Sequence, residues 1–169
     1  MRILFPLLYL SLAWPLSAFE VGTILPRPDL SKDLVIANKF SLKPTKLDPG
    51  TRVVVYFYGA SWCAPCKQIG AHLAASQEAF NREVPEMEFI TYSLDHSTRA
   101  RADYLRQHPY PWPAIAPQTI EKSPWITSLE QGTPQFQAFA VREDTLEAIG
   151  APGPAGEAIA TAINYIAEL

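Results

Sequence analysis

The stretch Val53-Val54-Val55-Tyr56-Phe57-Tyr58-Gly59-Ala60-Ser61-Trp62-Cys63-Ala64-Pro65-Cys66-Lys67 holds the only two cysteines of a 169-residue chain. Its first six residues are all β-branched or aromatic, the pattern of a central strand buried on both faces. A Gly-Ala-Ser turn then leads into Trp-Cys-x-Pro-Cys-Lys. Pro65 suits the first turn of a helix, because its missing N–H would have no partner there and its φ is already helical. Strand, turn and helix in that order place Cys63 at a helix N-terminus, where unpaired N–H groups and the positive end of the helix dipole favour a thiolate. Such surroundings lower a cysteine from about 8.5 to roughly 3.5–7.5. Cys66, inside the first turn, is shielded and less acidic. Thiols with two residues between them close on each other across one turn, so Cys63 is the candidate nucleophile and Cys66 the candidate resolving thiol of disulfide exchange.

A bridge this short constrains the unfolded chain little, so reactivity explains the pair better than stapling does. An inert bridge is the alternative, and a metal site is another. Only His72, His96 and His108 could complete a metal site. His72 lies about 13 Å beyond Cys63 along the predicted helix at 1.5 Å per residue, too far to share an ion with it. No metal is expected, and a cysteine hydrolase is disfavoured because spacing places no histidine beside Cys63.

A 48% hydrophobic content is enough for the core of one domain, and the net charge is −3. Lysines and arginines are scattered without a run, which argues against a nucleic-acid partner. At the N-terminus, Arg2 precedes the apolar run Ile3–Trp14 and then Pro15-Leu16-Ser17-Ala18. This reads as an export signal over 1–18, cleaved after Ala18. The run falls short of the about 20 apolar residues of a membrane span, an uncleaved anchor being the alternative. Residues 19–30, with Pro26 and Pro28, read as a leader, and 31–169 as the domain.

Leu34–Ala37 and Phe40–Leu42 look extended. The helix opened by the cysteines should run to about Arg82, with Ile69, Leu73 and Phe80 on one face. Met87–Leu94 is the next strand, ending at Asp95-His96, and Ser97 can cap a helix through Gln107 with Tyr104 and Leu105 inward. Residues 109–131 form a stiff, proline- and aromatic-rich loop with a short helix over 124–131. Its Trp112 and Trp125 either pack the loop on the core or line a partner groove. His72 reads as a solvated helix residue and His108 as a loop residue. Residues 136–141 and 145–149 form a hairpin with Glu143 and Asp144 at a solvated tip, and a last helix carries Ile159, Ile163 and Ile166 on one stripe. Strands joined through helices imply a parallel pair, and the hairpin adds antiparallel strands to the same sheet.

With the Tyr56–Lys67 junction, this element order and Gly132-Thr133-Pro134 just before a strand, the chain resembles the thioredoxin superfamily over about residues 31–169. Tyr56 to Cys63, Asp95 at a strand end and Pro111-Trp112-Pro113 look most like the tryparedoxin and nucleoredoxin branch, whereas an export signal looks like the periplasmic thiol-disulfide oxidoreductases. The resemblance implies an α/β, thioredoxin-like fold: a mixed central sheet of about five strands flanked by helices on both faces. It implies a cis Thr133–Pro134 peptide beside the cysteines, Thr133 backbone groups that pair with a substrate segment, and Trp62 covering the site. It also implies an exported oxidoreductase, by branch a reductase, that exchanges disulfides with partner proteins, needs no organic cofactor and draws electrons from an upstream donor such as a membrane thiol carrier. Thioredoxins proper carry a buried acid six residues before the first cysteine, and here that residue is Phe57. Asp95 and His96 are the candidates for proton transfer in its place. The rival readings are a redox-silent binding module and a metal-binding chaperone.

Overall fold

The predicted central strand is β4, Val53–Gly59, and all seven of its residues are buried. The computed structural model describes residues 20–120 and 132–169. The export segment 1–18 and the helix expected over 124–131, with Trp125, lie outside the described residues. Along one edge of β4 runs the parallel strand β5, Met87–Ser93, in register from Val53↔Met87 to Gly59↔Ser93. Along the other runs the antiparallel strand β7, Gln135–Val141, from Val53↔Ala140 to Tyr58↔Gln135. Strand β8, Thr145–Ala148, completes the expected hairpin.

The sheet is larger than the five strands expected. It holds eight among the described residues, in the order β1-β8-β7-β4-β5-β6-β2-β3. Strand β2, Leu34–Ala37, was legible, but β1 (Ile24–Pro26), β3 (Leu42–Pro44) and β6 (Ala114–Ile115) are two or three residues long. Strands so short carry no alternation to read, and Pro26 and Pro44 suit edge positions. The segment read as a leader is thus partly sheet: β1 pairs with β8, and Arg27 donates to the carbonyls of Arg142 and Glu143 at 3.1 and 3.0 Å.

Aromatic rings fill both faces of β4. Phe57 stacks on Phe136 at 4.9 Å and meets Tyr110 edge-on at 5.9 Å. On the opposite face Tyr56 packs on Phe139 at 4.8 Å. The proline-rich loop packs inward: Tyr110 stacks on Trp112 at 4.9 Å, and the Trp112 indole N–H donates to the Thr91 hydroxyl at 2.8 Å. Trp112 is therefore core, and the groove reading fails for it.

The helix after the cysteines is two helices, α1 (Ala64–Ala75) and α2 (Gln77–Glu83). Ser76 breaks them apart, its hydroxyl donating back to the His72 carbonyl at 3.2 Å, a competing bond that serines offer the helix backbone. The bend lets Phe80 meet Phe89 at 5.3 Å. Helix α3, Thr98–Gln107, begins at the expected cap, the Ala100 N–H donating to the Ser97 hydroxyl at 3.1 Å. Helix α4, Ala155–Ala167, buries Ala158 and Ala162, while Ile163 of the predicted stripe is 40% exposed. Small side chains let α4 approach β7, so the contact line runs through the alanines with Ile159 and Ile166 beside it. No helix among the described residues is long and apolar enough to cross a membrane.

Phe89 joins α2, β5 and the loop, since it also packs against Trp112 at 5.4 Å. Truncating a buried phenylalanine loses its transfer energy and leaves a cavity, so Phe89→Ala is expected to lower the unfolding free energy by about 3–5 kcal/mol in urea titrations. A loss below roughly 1 kcal/mol would contradict this packing.

Candidate active site

Beyond Gly59 the chain turns once, the Cys63 N–H donating to the Ala60 carbonyl at 3.1 Å, and enters α1 with Cys63 as N-cap and Pro65 in the first turn. The N-cap acceptor is a sulfur: the Cys66 N–H donates to Cys63 Sγ at 3.1 Å. Cys63 and Cys66 form a disulfide with their Cα atoms 5.3 Å apart. Cys63 is 5% exposed and Cys66 fully buried, the order expected of an outer and an inner thiol. The first turn of α1 carries no acidic residue, so no carboxylate there opposes a Cys63 thiolate. Such a thiolate would receive the Cys66 N–H as a charge-assisted bond, stronger than a neutral one. Trp62 stands 48% exposed beside the pair, and the Lys67 ammonium donates to the Ser61 carbonyl at 2.9 Å.

The turn is held from β5. The buried Asp95 carboxylate accepts from the Ser61 hydroxyl at 2.6 Å, from the Ser61 N–H at 3.1 Å and from the Ser93 hydroxyl at 2.9 Å. The parallel register that pairs Gly59 with Ser93 brings Asp95 to the predicted sheet edge. The partners of its carboxylate are serines of the turn and strand, so the geometry gives it a positioning part. His96 is exposed. Phe57 is wholly buried among rings and supplies no acid.

Arg101 was not foreseen. It is buried on α3 and its guanidinium donates to the backbone carbonyl of Asp95 at 2.8 Å and to those of Pro117 and Ile120 at 3.3 and 2.7 Å. Nothing in the local pattern distinguishes it from an ordinary solvated helix arginine. His72 is exposed as expected, but His108 is more than a loop residue. It caps the end of α3, lies between the rings of Tyr104 and Tyr110, and is held below the usual histidine range by burial and then by nearby Lys67.

Thr133–Pro134 is cis, as the resemblance implied. Because Gln135 pairs with Tyr58, Pro134 stands just past the end of β4, at the edge from which the cysteine turn departs. With Ile69 of α1, Gly153 and Pro154 it borders a largely apolar cavity of about 320 Å³. Cys63, Cys66, Trp62, Pro65, Thr133 and Pro134 therefore gather at one end of the sheet, with Asp95 behind them.

No protein-family model matches the chain, and no curated protein sequence matches it. Among solved structures, a thiol-disulfide oxidoreductase from Bacteroides fragilis is similar over 87% of this chain and 99% of its own, with a TM-score of 0.52 and 16% identity. Tryparedoxin I from Leishmania major gives a TM-score of 0.49 at 17% identity over 72% of this chain and 82% of its own. A thioredoxin from Wuchereria bancrofti gives 0.45 at 19% over 72% and 84%. The fold is thioredoxin-like, and it carries the Cys63–Cys66 pair in its site.

Removing the Asp95 carboxylate strands the Ser61 and Ser93 donors. Asp95→Ala is expected to cost about 2–3 kcal/mol of stability in the oxidised protein, and Asp95→Asn less, since its amide oxygen still accepts. Urea unfolding measures both, and an alanine variant as stable as wild type would remove Asp95 from this role.

Proposed function

We propose that the protein is an exported thiol-disulfide oxidoreductase that reduces disulfides in partner proteins. The observation that carries this reading is the N-cap sulfur of Cys63, which receives the Cys66 N–H and lies within bridging distance of Cys66. In the reduced protein the Cys63 thiolate attacks one sulfur of a partner disulfide. That bond breaks, and the partner's second sulfur departs as a thiolate that takes a proton from water. Cys66 then loses its proton and attacks Cys63, expelling the partner's first sulfur and closing the Cys63–Cys66 bridge. Two electrons have passed to the partner, and a donor dithiol restores the pair. The electrons move between sulfurs, so no organic cofactor is required.

The arrangement suits a protein substrate. Trp62 offers an exposed ring beside the sulfurs, and the apolar cavity bordered by Pro134 offers a partner segment a place to lie. Residues 1–18 direct export, and the periplasm is the compartment that fits an exchange pair without structural disulfides elsewhere. The upstream donor would then be a membrane thiol carrier. A redox-silent binding module is the weaker reading, because Trp112, one of its two anchors, is buried in the core.

An insulin-reduction assay with dithiothreitol tests the proposal. Cys63→Ser is expected to lower turnover on the order of a hundredfold or more, with no adduct. Cys66→Ser is expected to lose turnover while accumulating a mixed disulfide with insulin, visible on a non-reducing gel. Full activity in both variants would falsify the assignment.

A further inference from the structure

Two glycines under the cysteines make room for two phenols. A Cβ on Gly59, the last residue of β4, would lie 2.7 Å from the Tyr104 hydroxyl. A Cβ on Gly70, inside α1, would lie 2.5 Å from Tyr110 Cζ and overlap the Tyr110 hydroxyl. Glycine within a helix is less favourable than alanine, and here its missing Cβ admits a side chain. The admitted groups have no acceptor but each other among the described residues. Tyr104 is 1% exposed and Tyr110 8%, and beyond each other neither hydroxyl has a hydrogen-bond partner among the described residues. Buried phenols ordinarily find one.

The position of the pair points to the missing acceptor. Both hydroxyls lie between the end of β4 and α1, and each shifts the other's ionisation, so they are neighbours. Burial raises both and keeps them protonated. Gly70 follows Cys66 by four residues, so the two share a helix face, and Cys66 is fully buried. In the oxidised protein the Cys66 sulfur is spent in the bridge with Cys63. Opening the bridge gives it back as a thiol and then a thiolate, the strong acceptor that the phenol pair lacks.

We infer that the Tyr110 hydroxyl, backed by Tyr104, donates a hydrogen bond to the Cys66 sulfur when the disulfide opens. The role rests on the oxidoreductase reading and adds the residues that prepare the resolving thiol. Cys66 gives its proton to solvent, its thiolate forms the bond to Cys63 Sγ, and the partner's sulfur leaves with the electrons of the broken bond and is protonated by water. Both tyrosines keep their protons throughout. Among the described residues, the other titratable groups around them are His108 against both rings, Lys67 near His108, and Asp95, whose charge bears on Tyr104.

The test is the titration of the Cys66 ¹³Cβ resonance in the full-length Cys63→Ser protein, where no bridge forms. Adding Tyr110→Phe, which keeps the ring and removes the donor, is expected to raise the Cys66 midpoint by about half a pH unit or more. A smaller shift, or none, overturns the inference. Should that variant fail to fold, Gly70→Ala displaces the same hydroxyl and is read against the same threshold. A merely structural tyrosine would alter thermal stability and leave the midpoint in place. If the wild-type protein fails to reduce insulin, the oxidoreductase reading falls, and the titration still decides the hydrogen bond.

Discussion

The site depends on one short contact, the N–H of Cys66 aimed at the sulfur of Cys63. That bond makes a cysteine the cap of a helix, and a cap in this position is also the place where negative charge is best tolerated. For the contact to exist, α1 must start at Ala64 and not a residue earlier or later. The Gly59–Trp62 turn sets that start, and Asp95 holds the turn through both donors of Ser61, its N–H and its hydroxyl. Asp95 is itself located by the register of β5 on β4. Reactive sulfur, turn, carboxylate and sheet thus form one chain of constraint, and its far end is the buried aromatic packing around Phe57 and Tyr56.

The same reasoning accounts for the division of labour between the two sulfurs. One end of the sheet collects the cis peptide of Thr133–Pro134, the exposed Trp62 and the outer cysteine, all suited to meeting another molecule. Beneath them Cys66 faces the protein interior, where the groups that touch it must come from the chain itself. The two glycines are intelligible only from that side, since each is empty space on the backbone and occupied space in the fold.

What could be read from residue order was whatever is local or periodic. The run Val53–Tyr58, the Ser97 cap and the hairpin at 135–148 each announce themselves within a few residues, and the cysteine pair carries its chemistry in its spacing. The Thr133–Pro134 peptide was reachable through family resemblance alone. Features that join distant segments were not legible. Asp95 and Ser61 are 34 residues apart and meet only because two parallel strands end together. Arg101 is buried because three backbone carbonyls converge on it, and no neighbour in the sequence signals that. The Ser76 break was missed because apolar spacing continues through it, while a hydroxyl bonded to its own preceding turn interrupts the backbone.

The pairing of β1 with β8 bears on how the molecule comes to be assembled. Ile24 lies opposite Glu147, 123 residues later in the chain, so β1 waits for β8 before it has a neighbour. Contacts so far apart in sequence are slow to form because a long loop must close first. Until the ribosome has delivered the hairpin, β4 too lacks its antiparallel flank. This edge of the sheet therefore closes only after the β7–β8 hairpin has been made, so the segment Ile24–Pro26 stays unpaired while the strands between are synthesised.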